Sequence, residues 1–159
     1  MKPWSKGGEA QAKRRLDRLF SELILFRDHR LCQWCKRATD EDGKKLKVDN
    51  SHIIPREVLR LRWDERNSVA VCFRHHKSRG FWSWHSNPLL AAQWIRKLLG
   101  DTHCDELLRV AQEPYEFTFE EFLRIERLLK QRLLTLSSAT LLASAIGELC
   151  PLPSSLLPQ

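Results

Sequence analysis

No apolar run in the 159 residues approaches the ~18 consecutive residues of a membrane-spanning helix, so membrane insertion is not expected. The opening stretch Met1-Lys2-Pro3-Trp4-Ser5-Lys6-Gly7-Gly8 lacks the charged-then-apolar pattern of a secretory leader. No internal repeat is visible beyond two similarly spaced ligand pairs. Cysteine is sparse and odd in number, with five residues at 32, 35, 72, 104 and 150. Three fall in close-spaced motifs and two stand alone, a usage that suits metal binding in a reducing cytoplasm rather than a disulfide framework. Acidic residues are the scarcer charge: 20 Asp+Glu against 27 Lys+Arg give a formal net charge of +7. That balance favours a polyanionic partner, nucleic acid above all, although it also serves solubility.

A hydrophobic fraction of 42% supports a core, and the length suits one domain or a small domain with a helical appendage. Residues 1–8 read as a flexible basic tail. From Glu9, Leu16, Leu19, Phe20, Leu23 and Phe26 recur at helical spacing and predict a helix to about Arg27. Thr39 to Lys45 reads as a polar loop. Leu46-Lys47-Val48 begins a strand continuing through His52-Ile53-Ile54, which Pro55 stops. Val69, Val71 and Phe73 alternate and predict a second short strand, followed by a helix from His75 to Ser83.

The remainder is helical by pattern. Asn87-Pro88 and Gly100 bound one helix, and Thr102 with Asp105 resembles the cap of another running to about Ala111. Thr118-Phe119-Glu120-Glu121 reads as a capping box, with the Ser137-Ser138 pair as a break and Leu141 to Leu149 as a further apolar helix. Residues 151–159 read as a disordered tail.

The chemistry concentrates between Cys32 and His76. Cys32/Cys35 and Cys72/His75 are two paired ligand turns separated by a few tens of residues, a strong pattern for a tetrahedral zinc site. The alternative for the cysteines is small buried hydrophobes. His52, Asn67 and His76 are left over, and they suit phosphodiester hydrolysis. A neutral imidazole takes a proton from water, a second imidazole holds a divalent metal, and an asparagine locks the connecting loop through backbone groups.

Cys32-x-x-Cys35, Ser51-His52-Ile53-Ile54-Pro55-Arg56, Trp63-Asp64-Glu65-Arg66-Asn67 and Cys72-x-x-His75-His76-Lys77 together resemble an HNH endonuclease of the ββα-metal fold, over about residues 20 to 100. Within that superfamily the chain is most similar to phage NinG-type recombination nucleases, through Leu61-Arg62-Trp63 and a weaker match in the helical tail. The resemblance implies an α+β fold: an HNH core with its N-terminal helix over 9–86, a helical extension over 87–150, and the two tails. It implies His52 as general base, Asn67 as the residue that positions the His52 loop, and His76 as ligand of a catalytic Mg2+ or Mn2+. Cys32, Cys35, Cys72 and His75 would hold structural Zn2+. The implied activity is DNA cleavage to 5′-phosphate and 3′-hydroxyl ends, on duplex or branched recombination intermediates.

Two positions depart from the family pattern. Ser51 stands where many members carry an acidic or histidine metal ligand, and His75 stands where a fourth zinc cysteine is usual. Asp49 shares the face of Ser51 in an extended strand and is the candidate replacement ligand. The competing reading is a zinc-stabilised DNA-binding module with a degenerate nuclease site; a zinc protein without a nucleic-acid role is a third. Arg56, Lys77 and Arg79 are candidate phosphate contacts, or simple surface charge. Trp82 and Trp84 are expected in the core, joining the helical tail to the zinc turns, with stacking on unpaired bases as the alternative. His85 is expected to be exposed or capping, with a further metal ligand as the alternative, and Cys104 and Cys150 to be packing residues. A homodimer through the apolar helices after Thr118 stays open.

Overall fold

The computed structural model describes residues 7–149, with side chains described for 7–139. Its architecture is α+β, five helices around one two-stranded antiparallel sheet. Of the tail expected over 1–8, residues 1–6 lie outside the described residues, as do 151–159 and Cys150, while Gly8 already opens the first helix on the left-handed turn of Gly7. No helix among the described residues is long and apolar enough to cross a membrane.

Helix α1 spans Gly8–Arg27 and buries Ala12, Leu16, Phe20, Leu23 and Ile24, the face its sequence spacing marks out. Asp28 ends it and then serves the sheet, its carboxylate accepting the Ala70 amide at 2.8 Å. Strand β1, Val48–His52, pairs antiparallel with β2, Ser68–Cys72, in a register that sets Val48 opposite Cys72 and His52 opposite Ser68. Every residue of β2 is buried. Arg27 ties the helix to this strand, donating to the carbonyls of Glu65 and Ser68 at 2.6 and 2.7 Å.

Helix α2 is a single turn, Phe73–His76, rather than the longer helix expected to Ser83. The carbonyls that would propagate it are taken by chain that doubles back. His75 O accepts from the Trp84 amide at 2.8 Å; His76 O accepts from the His85 amide at 3.2 Å and the Ser83 hydroxyl at 3.1 Å. The next residues form a strap from Lys77 to Ser86 instead.

Helix α3, Pro88–Leu99, opens on the expected cap, Asn87 Oδ1 accepting the Leu90 amide at 3.2 Å. Gly100, at φ +86°, turns directly into α4, Asp101–Ala111. Thr102 is therefore not a cap, because it already lies inside α4; Asp101 and Asp105 bind Arg96 instead. Helix α5 runs unbroken over Phe119–Leu149, and Thr118 caps it through the Glu121 amide at 3.2 Å. Ser137 and Ser138 do not interrupt it. Their hydroxyls bond back to the carbonyls of Leu133 and Leu134 at 2.6 and 3.0 Å, which satisfies both groups inside a helix.

One core joins α1, α5, Trp63, Ala70 and Phe117. A second lies beneath the sheet, where Cys32, Val69, Val71 and Cys72 meet Ile95 and Cys104 from the following helices. Burial thus runs across residue 87, the expected boundary between core and extension.

Candidate metal centre and adjoining cleft

The turn after α1 makes the first half of the metal centre. The Lys36 amide returns to Cys32 O at 2.7 Å and the Cys32 amide to Arg37 O at 3.1 Å, folding Cys32 and Cys35 toward one point. Lys36 takes φ +55° to complete the bend, a left-handed conformation that costs a non-glycine residue about 1–2 kcal/mol. The second half comes from the end of β2 and from α2, which carry Cys72 and His75. The donor atoms of Cys32, Cys35, Cys72 and His75 all lie within 4.8 Å of one another. His75 Nδ1 is 3.1 Å from Cys72 Sγ and 3.7 Å from Cys32 Sγ. Donors about 2.0–2.3 Å from a tetrahedral ion stand about 3.5–3.8 Å apart, so the cluster could hold a metal such as zinc.

The protonation balance fits that use. Burial, followed by the neighbouring thiols, pushes Cys72 up to about 11 and raises Cys35, while burial lowers His75. Thiols so disposed stay protonated unless a cation lies among them, so metal affinity is tied to proton release. Trp34 stacks on His75 at 5.4 Å and 8°, and Trp94 of α3 stacks on Trp34 at 4.7 Å and 15°. The tryptophans that join the helices to the metal centre are therefore Trp34, Trp94 and Trp84. Trp82, expected in the core, is 52% exposed, because it sits at the tip of the strap.

On the other side of α2 is a cleft of about 660 Å3 whose walls include His52, His76, His85, Asn50, Asp17, Arg56 and Lys77. His52 ends β1, and its Nε2 lies 2.8 Å from the carbonyl oxygen of Arg62. A carbonyl only accepts, so Nε2 carries the proton and the neutral ring keeps its lone pair on Nδ1. Burial holds the His52 pKa below its ordinary 6.5. Arg62 is itself fixed. Its guanidinium donates to Asp17 of α1 at 2.9 and 2.7 Å, and Trp63 Nε1 donates to the same carboxylate at 3.0 Å. Burial alone would raise the Asp17 pKa, but Arg62 and Trp63 outweigh it and keep the carboxylate ionised.

Asn67 is fully buried and uses its whole amide. Nδ2 donates to the carbonyls of Ile54 and Leu61, both at 3.0 Å, and Oδ1 accepts the Ile54 amide at 2.7 Å. Those bonds close the loop that carries Pro55 to Leu61 over the cleft. His76 is buried, and its Nδ1 has no hydrogen-bond partner among the described residues. The Asp49 carboxylate stands 3.8 Å from that nitrogen, beyond hydrogen-bond range, and accepts from Lys77 Nζ at 3.1 Å. Burial, then the charges of Lys77 and His85, lower the His76 pKa to about 4, so the ring is neutral and able to ligate. Asp49 is not part of the cleft wall. Ser51 is buried with its hydroxyl unpartnered among the described residues. Arg79 is exposed and outside the cleft wall; Arg56 and Lys77 are in it.

Asp17 escaped sequence reasoning. Asp17 precedes Arg62 by 45 residues, on a helix whose polar residues read alike in the sequence. His85 is exposed, as expected, but the strap sets its ring edge-on to His76 at 4.9 Å. Compared with family models, with curated proteins and with solved structures, the chain matches none.

Proposed function

We propose that the chain is a metal-dependent DNA endonuclease of the HNH, ββα-metal kind, stabilised by a structural zinc ion. The observation that carries this reading is the hydrogen bond from His52 Nε2 to the Arg62 carbonyl, in a cleft that His52 shares with His76. It leaves Nδ1 of a neutral imidazole as the proton acceptor that an attacking water needs. Asn67 holds the loop after His52, and Asp17 holds Arg62, so the base is fixed from two directions. Arg56 and Lys77 supply positive charge to a phosphodiester in the cleft, with Arg79 as a more distant contact.

Cys32, Cys35, Cys72 and His75 would hold Zn2+. His76 would hold a divalent cation such as Mg2+ or Mn2+, with Asp49, 3.8 Å from its Nδ1, as the candidate further ligand and His85 as a second imidazole beside it. The unpartnered, unprotonated His76 ring suits that ligand role. Such a cation, when bound, stabilises charge on the phosphate and leaving oxygen. A preference for branched recombination intermediates of a phage is supported by the NinG-like resemblance alone.

Ser51 favours a second reading, in which the cleft binds DNA without cutting it, because a carboxylate is missing where one is usual. Purified protein incubated with supercoiled plasmid and with branched DNA, plus Mg2+ or Mn2+, separates the two. The nuclease reading expects nicking that the His52→Ala variant loses. Equal, background-level cutting by both proteins while both bind DNA would leave the binding module.

A further inference from the structure

From Arg66 to Gly100 the chain contains no aspartate or glutamate, yet it carries Arg66, Arg74, Lys77, Arg79, Arg96 and Lys97. The strap lies in the middle of this stretch. It leaves the cleft wall at Lys77 and rejoins it at Trp84 and His85, whose amides are tied to the His75 and His76 carbonyls. The Ser86 hydroxyl donates to Ser78 O at 3.0 Å and closes the neck. The strap is thus rooted at both ends in the cleft wall.

The tip is Phe81-Trp82. The two rings meet edge to face at 5.2 Å and 88°, and the residues are 66% and 52% exposed. Neither belongs to a hydrophobic cluster of the described residues. Arg79 precedes them and Arg74 stands on α2; both are exposed, and neither has an ion-pair partner among the described residues. Large apolar rings outside every core mark a contact surface. Cations free of carboxylates select the contact: phosphates meet the guanidinium groups, and bases stack on the rings. An intact duplex offers the phosphates but keeps its bases stacked on each other. A second copy of this chain docking through the same patch would set like charges against like.

We propose that Phe81 and Trp82 form a stacking subsite for unpaired bases of a DNA strand, whose backbone follows Arg74 and Arg79 toward the cleft. This inference rests on the reading of the cleft as a DNA site, but it concerns binding and is read without cleavage.

The test measures fluorescence anisotropy of a labelled single-stranded oligodeoxynucleotide and of the blunt duplex of the same sequence. The proteins are full-length wild type, a Phe81→Ala/Trp82→Ala double variant, and Trp82→Phe. The double variant is expected to lose about tenfold or more in affinity for the single strand, with duplex affinity within about twofold of wild type. Trp82→Phe should retain most single-strand binding, since a ring remains. Unchanged zinc content and melting temperature show that the double variant folds. Equal losses on both DNAs, no loss on either, or a wild-type dimer that the double variant converts to monomer would overturn the subsite. If wild type discriminates in this way but cuts no DNA, the subsite stands and the nuclease reading falls. His52-dependent cutting without the discrimination gives the reverse.

Discussion

His52 and Asn67 do opposite things with the same chemistry: one keeps a ring nitrogen uncommitted, the other leaves no amide atom unused. Removing the base by His52→Ala should lower plasmid cleavage by about 10²–10⁴-fold with zinc content unchanged, as measured by gel assay and metal analysis. Because burial depresses the His52 pKa, its neutral form persists below pH 6.5. Cleavage should hold steady from pH 8 through 6.5 and decline only at lower pH; an acid limb at or above 6.5 would count against His52 as the base. The same shift has a stability sign. Above 6.5 folded and unfolded chains both carry neutral His52, whereas below it the unfolded chain takes up the proton first, so stability falls as pH falls. Asn67→Ala strips partners from the Ile54 amide and the carbonyls of Ile54 and Leu61, and should cost about 2–4 kcal/mol in urea unfolding. Both residues were legible in the sequence because the strand and turn that carry them are local. Asp17 was not, since an aspartate on an amphipathic helix looks like any solvated charge until Arg62 and Trp63 reach it. Its negative charge raises the His52 pKa. Asp17→Asn should therefore lower cleavage about tenfold and move the acid limb to lower pH, a displacement that loosened packing alone would not produce.

At the level of elements, the two halves of the metal centre come from a tight turn and from the junction of β2 with a one-turn helix. Such pieces have little stability of their own. Zinc would contribute on the order of 10 kcal/mol to holding them, so Cys72→Ser, or incubation with a strong chelator, should abolish the cooperative melt by circular dichroism. One zinc per chain in wild type, by metal analysis, is the companion expectation. Ligand spacing was readable because two residues between donors fix their geometry locally. The length of α2 was not readable. Helix propensity cannot foresee that the His75 and His76 carbonyls will be claimed by amides nine residues further along, and that competition also decides where Trp82, Trp84 and His85 end up. Ser137 and Ser138 misled in the other direction, since a hydroxyl pair that looks like a stop is accommodated by bonding back along α5.

For the molecule as a whole, α1 and α5 close one core while the metal centre and α3 close another, and both press on β2. Phe20 is fully buried in the first core and its ring lies 5.8 Å from His52. Phe20→Ala should destabilise by about 3–5 kcal/mol in urea unfolding, and it reaches the cleft from a residue without polar chemistry. The helices and the two strands were readable from periodicity, but the joining of the last helix to the first was not, because a packing between residues a hundred positions apart leaves no local trace. His75 and His76 carry a consequence of a different sort. One peptide link separates a donor of the metal cluster from a side chain of the cleft, and the two point to opposite sides of a single helical turn. What distinguishes scaffold from chemistry here is angular phase rather than distance along the chain. Inserting one residue between them would keep every functional side chain yet rotate the second by about 100° relative to the first. At this pair the spacing is therefore as strict a requirement as the identity of the two residues.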